Sequence, residues 1–568
     1  MKVLLIQPPV RDFYQTSIRT QPIGLAYLAA SLRTHGYEVE ILDCQTEQKK
    51  SISIPPELSY LRDFYPFHDR SPFRLYVGFY HFGMGRDEIR QKIEESKADV
   101  FGISSSFTSY HGEALDIARI IKEWDRMKTV VMGGSHVSCD PEGVLKSPDV
   151  DYVVLGEGEI RFPLLVERMK KNGAEGIEGI DGIGYRKGGE IRINPLQNFI
   201  EDLDRLPPPA RDLFAADRYR MKKKRSTMLI TSRGCPHRCA YCSGHLVMGN
   251  HFRARSPEAI VKEMKNCREQ QDLQVFDIED DNFTYDQERA KRLMNLIIET
   301  FGEGTLELSA MNGISFASLD RELLGLMKQA GFRTLNLSFV SADLFTRERM
   351  RRPKAMIEFD SILAEADRIG LNVIAYGILG MPGQTIGEMV ETLIYLMGRK
   401  VLIGPSIYYP TPGTPLFRRC QREGFLPPHP SQLRSSALPI ETTEFGRLDL
   451  ATLFRLARVI NFIKGKMDTK ELDEGVTWRN LCQIMKEKTK ADEKEKLRAD
   501  ATMKVSSNTP CDVTWKDLLL LFLEEKSFFS LRKGPDRKLT VVREKTSREV
   551  LDCFFEKGLD TPILRSHS

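Results

Sequence analysis

Through the first 200 residues, short apolar runs alternate with stretches whose apolar positions recur every three or four residues. Residues 2–6 read as a buried strand, 23–35 as a helix with one apolar face ended by Gly36, and 38–42 as the next strand. The rhythm resumes with strands at 99–103, 129–132 and 152–155 and a helix at 113–124. Continuously apolar strands separated by amphipathic helices predict a parallel sheet covered on both faces. Five such strands fit a doubly wound, flavodoxin-like α/β domain over residues 1–200, with its ligand at the carboxyl ends of the strands. Two segments break the pattern. Residues 46–90 form an insertion rich in aromatics, among them Tyr60, Phe64, Tyr65, Phe67, Phe79, Tyr80 and Phe82, which reads either as a lid or as a locally packed excursion. Residues 180–200 predict a hairpin running into a linker at 201–226, stiffened by the prolines at 207–209.

A second alternating series begins near Thr227. Its strands fall at 228–231, 274–278, 306–310, 334–339, 372–379 and 403–409, with helices at 257–269, 321–330 and 358–369 among them. Six such units predict a partial barrel over 227–440 with functional groups at the carboxyl ends of its strands. Beyond 440 the strand signal fades. Residues 451–466 and 515–524 have the helical period, 486–498 is dense in mixed charge and reads as a solvated helix or linker, and 441–568 is expected to be a mainly helical domain.

A chain of 568 residues is too long for one core. Its 83 Lys and Arg against 79 Asp and Glu leave a net charge of +4, which gives no reason to expect nucleic acid as a partner. The opening MKVLLIQPP lacks the apolar core of a secretion signal, and no uncharged apolar run is long enough for a membrane span, so a cytoplasmic protein is expected. Of ten cysteines, seven stand singly at 44, 139, 267, 420, 482, 511 and 553 and read as structural thiols. Cys235, Cys239 and Cys242 crowd together, a spacing that suggests metal binding rather than cross-linking.

These three lie in Thr231-Ser-Arg-Gly-Cys235-Pro-His-Arg-Cys239-Ala-Tyr-Cys242, directly after a predicted strand. Gly234 and Pro236 keep the loop out of helix, so the sulfurs can converge. A four-iron cluster normally takes four thiolates, and three would leave one iron open. A zinc knuckle is the alternative, with His237 or His245 completing the set.

CxxxCxxC at the end of the first barrel strand, with Tyr241 before its third cysteine, resembles the signature of the radical S-adenosylmethionine (SAM) superfamily. The resemblance implies a 4Fe-4S cluster on Cys235, Cys239 and Cys242, with SAM chelating the open iron and cleaved to a 5′-deoxyadenosyl radical. It also implies an electron donor such as flavodoxin or ferredoxin and a small-molecule substrate. Glu279, Asp280 and Asp281, after the second strand, sit where the family places groups near the SAM amine; acidic helix caps are the plainer reading. Gly377 and Gly380, in Gly377-Ile-Leu-Gly-Met-Pro-Gly-Gln384, resemble the fifth-strand motif that lets backbone approach adenine, and Tyr409-Pro-Thr-Pro-Gly-Thr-Pro415 matches a recurrent pattern after the sixth strand. One departure stands out. Val340 occupies the position of the usual fourth-strand glutamate, leaving Ser338 or Ser341 as substitutes.

The N-terminal segments Gln7-Pro-Pro, Pro22-Ile-Gly-Leu-Ala-Tyr-Leu-Ala, Gly102-Ile-Ser-Ser-Ser, Gly133-Gly-Ser-His136 and Gly156-Glu-Gly-Glu159 resemble the cobalamin-binding half of cobalamin-dependent radical SAM enzymes. Ser104, Ser105, Ser106, Gly133 and Gly134 would line the nucleotide tail, with Gly156 and Glu157 beside it; tight turns common to doubly wound domains are the plainer reading. The DxHxxG motif that brings a histidine to cobalt is absent, and His35, His111 and His136 read as surface or capping residues. The basic run at 218–225 reads as a solvated linker or as a contact for an anionic substrate or corrin side chains. Methylation of an unactivated carbon is the leading expectation. A radical cyclase or rearrangement enzyme is the alternative, and a non-catalytic cobalamin- or zinc-binding regulator is the alternative from another class.

Overall fold

In a computed structural model, residues 1–14, 21–46, 48–172, 176–221, 223–352, 356–488, 513–533 and 539–566 are described. Lys222, Cys511 and most of the charged stretch 486–498 lie outside the described residues.

The N-terminal sheet runs, edge to edge, Glu190–Ile193, Ile183–Lys187, Tyr152–Val154, Thr129–Gly133, Val100–Ser104, Lys2–Gln7 and Glu38–Asp43. The five predicted strands are parallel, and the predicted hairpin extends the sheet antiparallel. Alternate side chains serve opposite faces. Val3, Leu5 and Val131 meet Leu25, Ala29 and Leu165 on one side, while Leu4, Ile6 and Met132 meet Ile117 and Ile121 on the other. Strand order reverses beside Lys2–Gln7, so a crevice opens at the carboxyl ends of that strand and Val100–Ser104.

The barrel is built from two parallel groups: Lys224–Leu229, Val275–Ile278 and Glu307–Ser309, then Thr334–Val340, Asn372–Leu379 and Leu402–Ile407. Single bridges, Leu308 to Phe332 and Ile314 to Leu337, join them. Helices Pro257–Gln271, Gln287–Phe301, Arg321–Ala330 and Ile386–Met397 are capped by Ser256, Asp286, Asp320 and Thr385, whose side-chain oxygens satisfy the first free N–H groups. The first strand starts earlier than its apolar pattern predicts because its charges are paired: Lys224 with Glu307 at 2.6 Å and Arg225 with Asp217 at 2.8 Å. The described part of the basic run is thus largely strand and turn, with its charges partly matched, and not a solvated linker.

The insertion is a packed excursion. Phe79–Phe82 pairs with Val10–Asp12 on one side and Lys49–Ile52 on the other. Phe13, Leu58, Tyr65 and Phe73 join the same core as the barrel and the C-terminal helices. Asp69 pairs with Arg455 at 3.2 Å and accepts the Leu531 N–H at 3.1 Å, and the Tyr65 hydroxyl donates to the Ser436 carbonyl at 2.7 Å. The C-terminal region is mainly helical, with Arg447–Asp468, Trp515–Glu525 and Arg548–Gly558. It also contains an unpredicted hairpin, Phe529–Lys533 with Leu539–Arg543. No described helix is long and apolar enough to cross a membrane.

Candidate functional site

The cysteine loop leaves the first barrel strand and is held at both ends. Gly234 has φ +80°, and a Cβ there would fall 2.2 Å from the His251 carbonyl oxygen, so only glycine can make this turn. Ala240 N donates to Met350 O, and Leu416 N to Ala240 O, both at 3.0 Å. The Cys235 sulfur accepts Asn282 Nδ2 at 3.7 Å and that of Cys242 accepts Gly244 N at 3.4 Å. Cys239 is buried and Cys242 exposed. Although Cys242 keeps exposed surface, the atoms packed around it desolvate the thiol and push it up to about 11; burial raises that of Cys235, and the neighbouring cysteines push both further. A cationic metal centre bound by these thiols would reverse that balance. Among the described residues no three Cys, His, Asp or Glu side chains gather as around one metal ion. A single zinc draws its sulfurs in at about 2.3 Å, whereas a cluster can spread its thiolates over separate irons. On three thiolates a four-iron cluster keeps one iron open, whereas a zinc knuckle would need a fourth protein ligand. Tyr241 lies against Cys239, and so does Arg352, which sequence reasoning missed. Arg352 also donates to the Ser338 carbonyl at 3.0 Å.

The three acidic candidates separate. Asp280 is buried and accepts Thr231 N and Ser232 Oγ, both at 2.7 Å, and also the Thr231 hydroxyl. Asp281 accepts Gly234 N at 2.9 Å. Asp280 is thus occupied by the turn into the cysteine loop, while Asp281 braces it through one oxygen and is exposed. Of the three, Glu279 lines the interdomain cavity. Burial and neighbouring Asp277 push its carboxyl up to about 8.

Glu279 borders a cavity of about 370 Å³ that spans both domains. At one end it is a slot between sheet and helices, lined by Leu5, Gly102 and Val131 from the strands and Leu25, Leu28 and Phe162 from helices Ile23–Thr34 and Gly158–Asn172. Ser104, Ser106, Gly133, Gly134 and Gly156 form its neck, and Met228, Arg233, Met248 and Glu279 close it on the barrel side. Gly134 has φ +111°, and its Cβ would stand 2.7 Å from the Ser105 carbonyl oxygen. A narrow slot between strand ends and two helices, floored by residues with little or no side chain, fits the nucleotide tail of a corrinoid. Ser105 is the exception: its hydroxyl turns away to His111 Nδ1 at 3.1 Å.

Glu157 lines the cavity and also joins the two halves of the site. Its fully buried carboxylate takes Arg233 Nη1 at 2.9 Å, Arg253 Nη1 at 2.9 Å and Ile200 N at 2.7 Å. Arg233 also reaches Glu159 at 2.6 Å, and Arg233 and Arg253 pair across a short antiparallel ladder. The Gly156–Glu159 turn of the N-terminal domain is thereby clamped to the strand that leads into Cys235.

Other candidates also move. Ser341 is buried and exchanges a hydrogen bond with Thr392 at 3.3 Å, so it faces a helix and not the cysteines. Ser338 faces Gly313 across the barrel, and Val340 holds a strained φ of +72° at a bulge between them. Gly377 and Gly380 pack closely against helices: a Cβ would meet Thr392 at 3.3 Å and Leu450 at 2.8 Å respectively. His111 and His136 are not surface residues. Their buried rings lie 4.3 Å apart, and burial lowers their pKa values to about 3 and about 4.

Comparison with known proteins agrees with this geometry. Residues 229–396 match the model of the radical SAM superfamily, and residues 75–166 match that of the B12 binding domain. Cytidylyl-2-hydroxyethylphosphonate methyltransferase of Streptomyces wedmorensis is 28% identical over 477 residues, covering 76% of this chain and 84% of that protein. The fold is similar to that of TsrM, a radical SAM methyltransferase of Kitasatospora setae solved with cobalamin and a [4Fe-4S] cluster (TM-score 0.56, 18% identity, 74% of this chain and 78% of that one). It is also similar to OxsB, a cobalamin-dependent SAM radical enzyme solved with aqua-cobalamin and SAM (TM-score 0.59, 15% identity, 88% and 71%). The chain thus carries a radical SAM domain and a B12-binding domain. Those domains imply a 4Fe-4S cluster, SAM and cobalamin as cofactors, and a small-molecule substrate with a reductant.

Proposed function

We propose that the protein is a cobalamin-dependent radical SAM methyltransferase that methylates an unactivated carbon of a small molecule, in the cytoplasm, with flavodoxin or ferredoxin as electron donor. The observation that supports this reading is the cavity running from Ser104 and Gly133 at the sheet to Arg233 and Glu279 beside the cysteine loop, which would let the two cofactors meet in one space. When bound, the cluster and SAM supply a radical that abstracts a substrate hydrogen, and cobalamin supplies the methyl group. The chain's residues hold and orient. Cys235, Cys239 and Cys242 would hold the cluster, with Tyr241 and Arg352 packed against Cys239. Glu279, the one acidic candidate facing the cavity, would accept hydrogen bonds from the SAM amine. Ser104, Ser106 and Gly133 would line the corrinoid tail, while Glu157 and Arg233 fix one domain against the other. The organisation we propose is a cobalamin domain at 1–200, a joining segment at 201–226, a SAM barrel at 227–440 and a C-terminal domain at 441–568.

The test is anaerobic reconstitution with methyl-labelled SAM. Bound iron and sulfide, a corrin absorption band that survives desalting, reductant-dependent release of 5′-deoxyadenosine, and label in a product lost in Cys239→Ala would support methyl transfer. SAM cleavage with an unlabelled product would point to cyclisation instead. Iron-free protein that never cleaves SAM would defeat the reading.

A further inference from the structure

A second cavity, of about 470 Å³, lies on the outer edge of the barrel and belongs to none of the sites above. It forms where the last barrel strand, Leu402–Ile407, has no further strand beside it. That edge is closed by side chains at two points. Asn461 takes the Ile403 N–H at 2.9 Å and donates to the Ile403 carbonyl at 2.7 Å, and Ser435 Oγ takes the Ile407 N–H at 2.9 Å. Between them stands Pro405, which has no N–H to satisfy, so the edge can stay open there. Pro405, Ser435 and Asn461 line the cavity on this side.

Its other walls come from three distant parts of the chain: Tyr14 from the N-terminal domain, Tyr76 from the insertion, and Phe454 and Phe462 from helix Arg447–Asp468. The rings hold one another. Tyr14 and Tyr76 meet edge to face at 5.7 Å, and Tyr76 stacks on Phe454 at 6.0 Å. The insertion's aromatics thus build a wall around open space. Arg458, exposed on the same helix, also borders the cavity, with its guanidinium 6.0 Å from the Phe454 ring. Arg74 lies close enough to repel it. Among the described residues neither arginine has a carboxylate partner. Two adjacent cations beside aromatic walls are short of an anion, and a planar guanidinium can grip a carboxylate or phosphoryl group through two hydrogen bonds.

We propose that this edge cavity is a small-molecule site that takes a ligand with an apolar or aromatic body and one anionic group, carboxylate or phosphoryl, bound by Arg458 with Arg74. The test is calorimetric titration of the full-length protein, reconstituted with iron and sulfide but given no SAM, with benzoate, phenylphosphonate, benzyl alcohol and trimethylphenylammonium. Benzoate or phenylphosphonate should bind, the better of the two naming the anionic group, and both uncharged and cationic rings should bind at least ten-fold more weakly. Arg458→Gln should weaken the anion about ten-fold or more, Arg458→Lys less, and Arg74→Gln measurably, each with an unchanged melting temperature. Binding of neither anion, equal binding of the cationic ring, or anion binding indifferent to all three substitutions would overturn the proposal. Such a failure would leave SAM cleavage by the wild-type protein intact, whereas a protein that binds the anion but never cleaves SAM would fail the functional reading alone.

Discussion

Glu157 and Arg233, 76 positions apart, meet at 2.9 Å with both side chains buried, and their bond ties the corrinoid-side turn to the residue two places before Cys235. Arg253 completes the arrangement from the partner strand. Every oxygen of the Glu157 carboxylate is occupied, so the pair works as a rigid strut between the domains. Removing one partner leaves buried charge without compensation, which costs about 3–5 kcal/mol. Glu157→Gln should therefore lower the melting temperature of the full-length protein by several degrees. Because the strut enters the cysteine loop, it should also lower the iron retained after anaerobic reconstitution, measured by iron and sulfide analysis.

The cysteines make a sharper test. Alanine at position 235, 239 or 242 should abolish the visible absorption of a reconstituted cluster and most of the bound iron. Alanine at Cys44, fully buried in the core of the N-terminal domain, should cost about 1–3 kcal/mol of stability and leave iron content unchanged.

Ser104 stands at the neck of the interdomain cavity. A leucine there adds apolar volume to a narrow slot. Ser104→Leu should weaken retention of cobalamin at least ten-fold, read from the corrin band after desalting, while iron content stays at the wild-type level.

Glu279 predicts a pH effect. Its carboxyl is raised by burial and by Asp277 to about 8, above its value in the unfolded chain, so the folded state holds the extra proton between those values. Stability contributed by this group is present below about pH 4 and is lost as pH rises toward 8. The melting temperature of cofactor-free wild-type protein should fall relative to Glu279→Gln as the buffer moves from pH 5 to pH 8. A constant difference would show that Glu279 is ionised throughout.

The parallel strands were legible because each is a short apolar run between helical stretches, and the cysteine loop because all its ligands lie within one turn. What stayed hidden depends on contacts between distant segments. Nothing local distinguishes Glu157, bound to two arginines, from a carboxylate facing a ligand, nor Asp280, bound to Thr231 and Ser232, from Glu279. Gly377 and Gly380 look the same in sequence whether backbone approaches an adenine or a helix. Arg233 carried a usable signal, an arginine inside the cysteine motif, whereas Arg352 carried none. The hairpin Phe529–Lys533 and Leu539–Arg543 was missed because most of its second strand is exposed and lacks apolar alternation.

The insertion meets its partners very late in the chain. Asp69 waits for Arg455, 386 positions on, and for Leu531, 462 positions on. Loop closure over such spans slows folding. During synthesis the aromatic segment emerges hundreds of residues before anything exists to cover it, which exposes the nascent chain to self-association. Recombinant yield should accordingly depend on slow translation or on chaperone supply, and C-terminal truncations before Arg548–Gly558 should accumulate as aggregates rather than as shorter soluble enzymes.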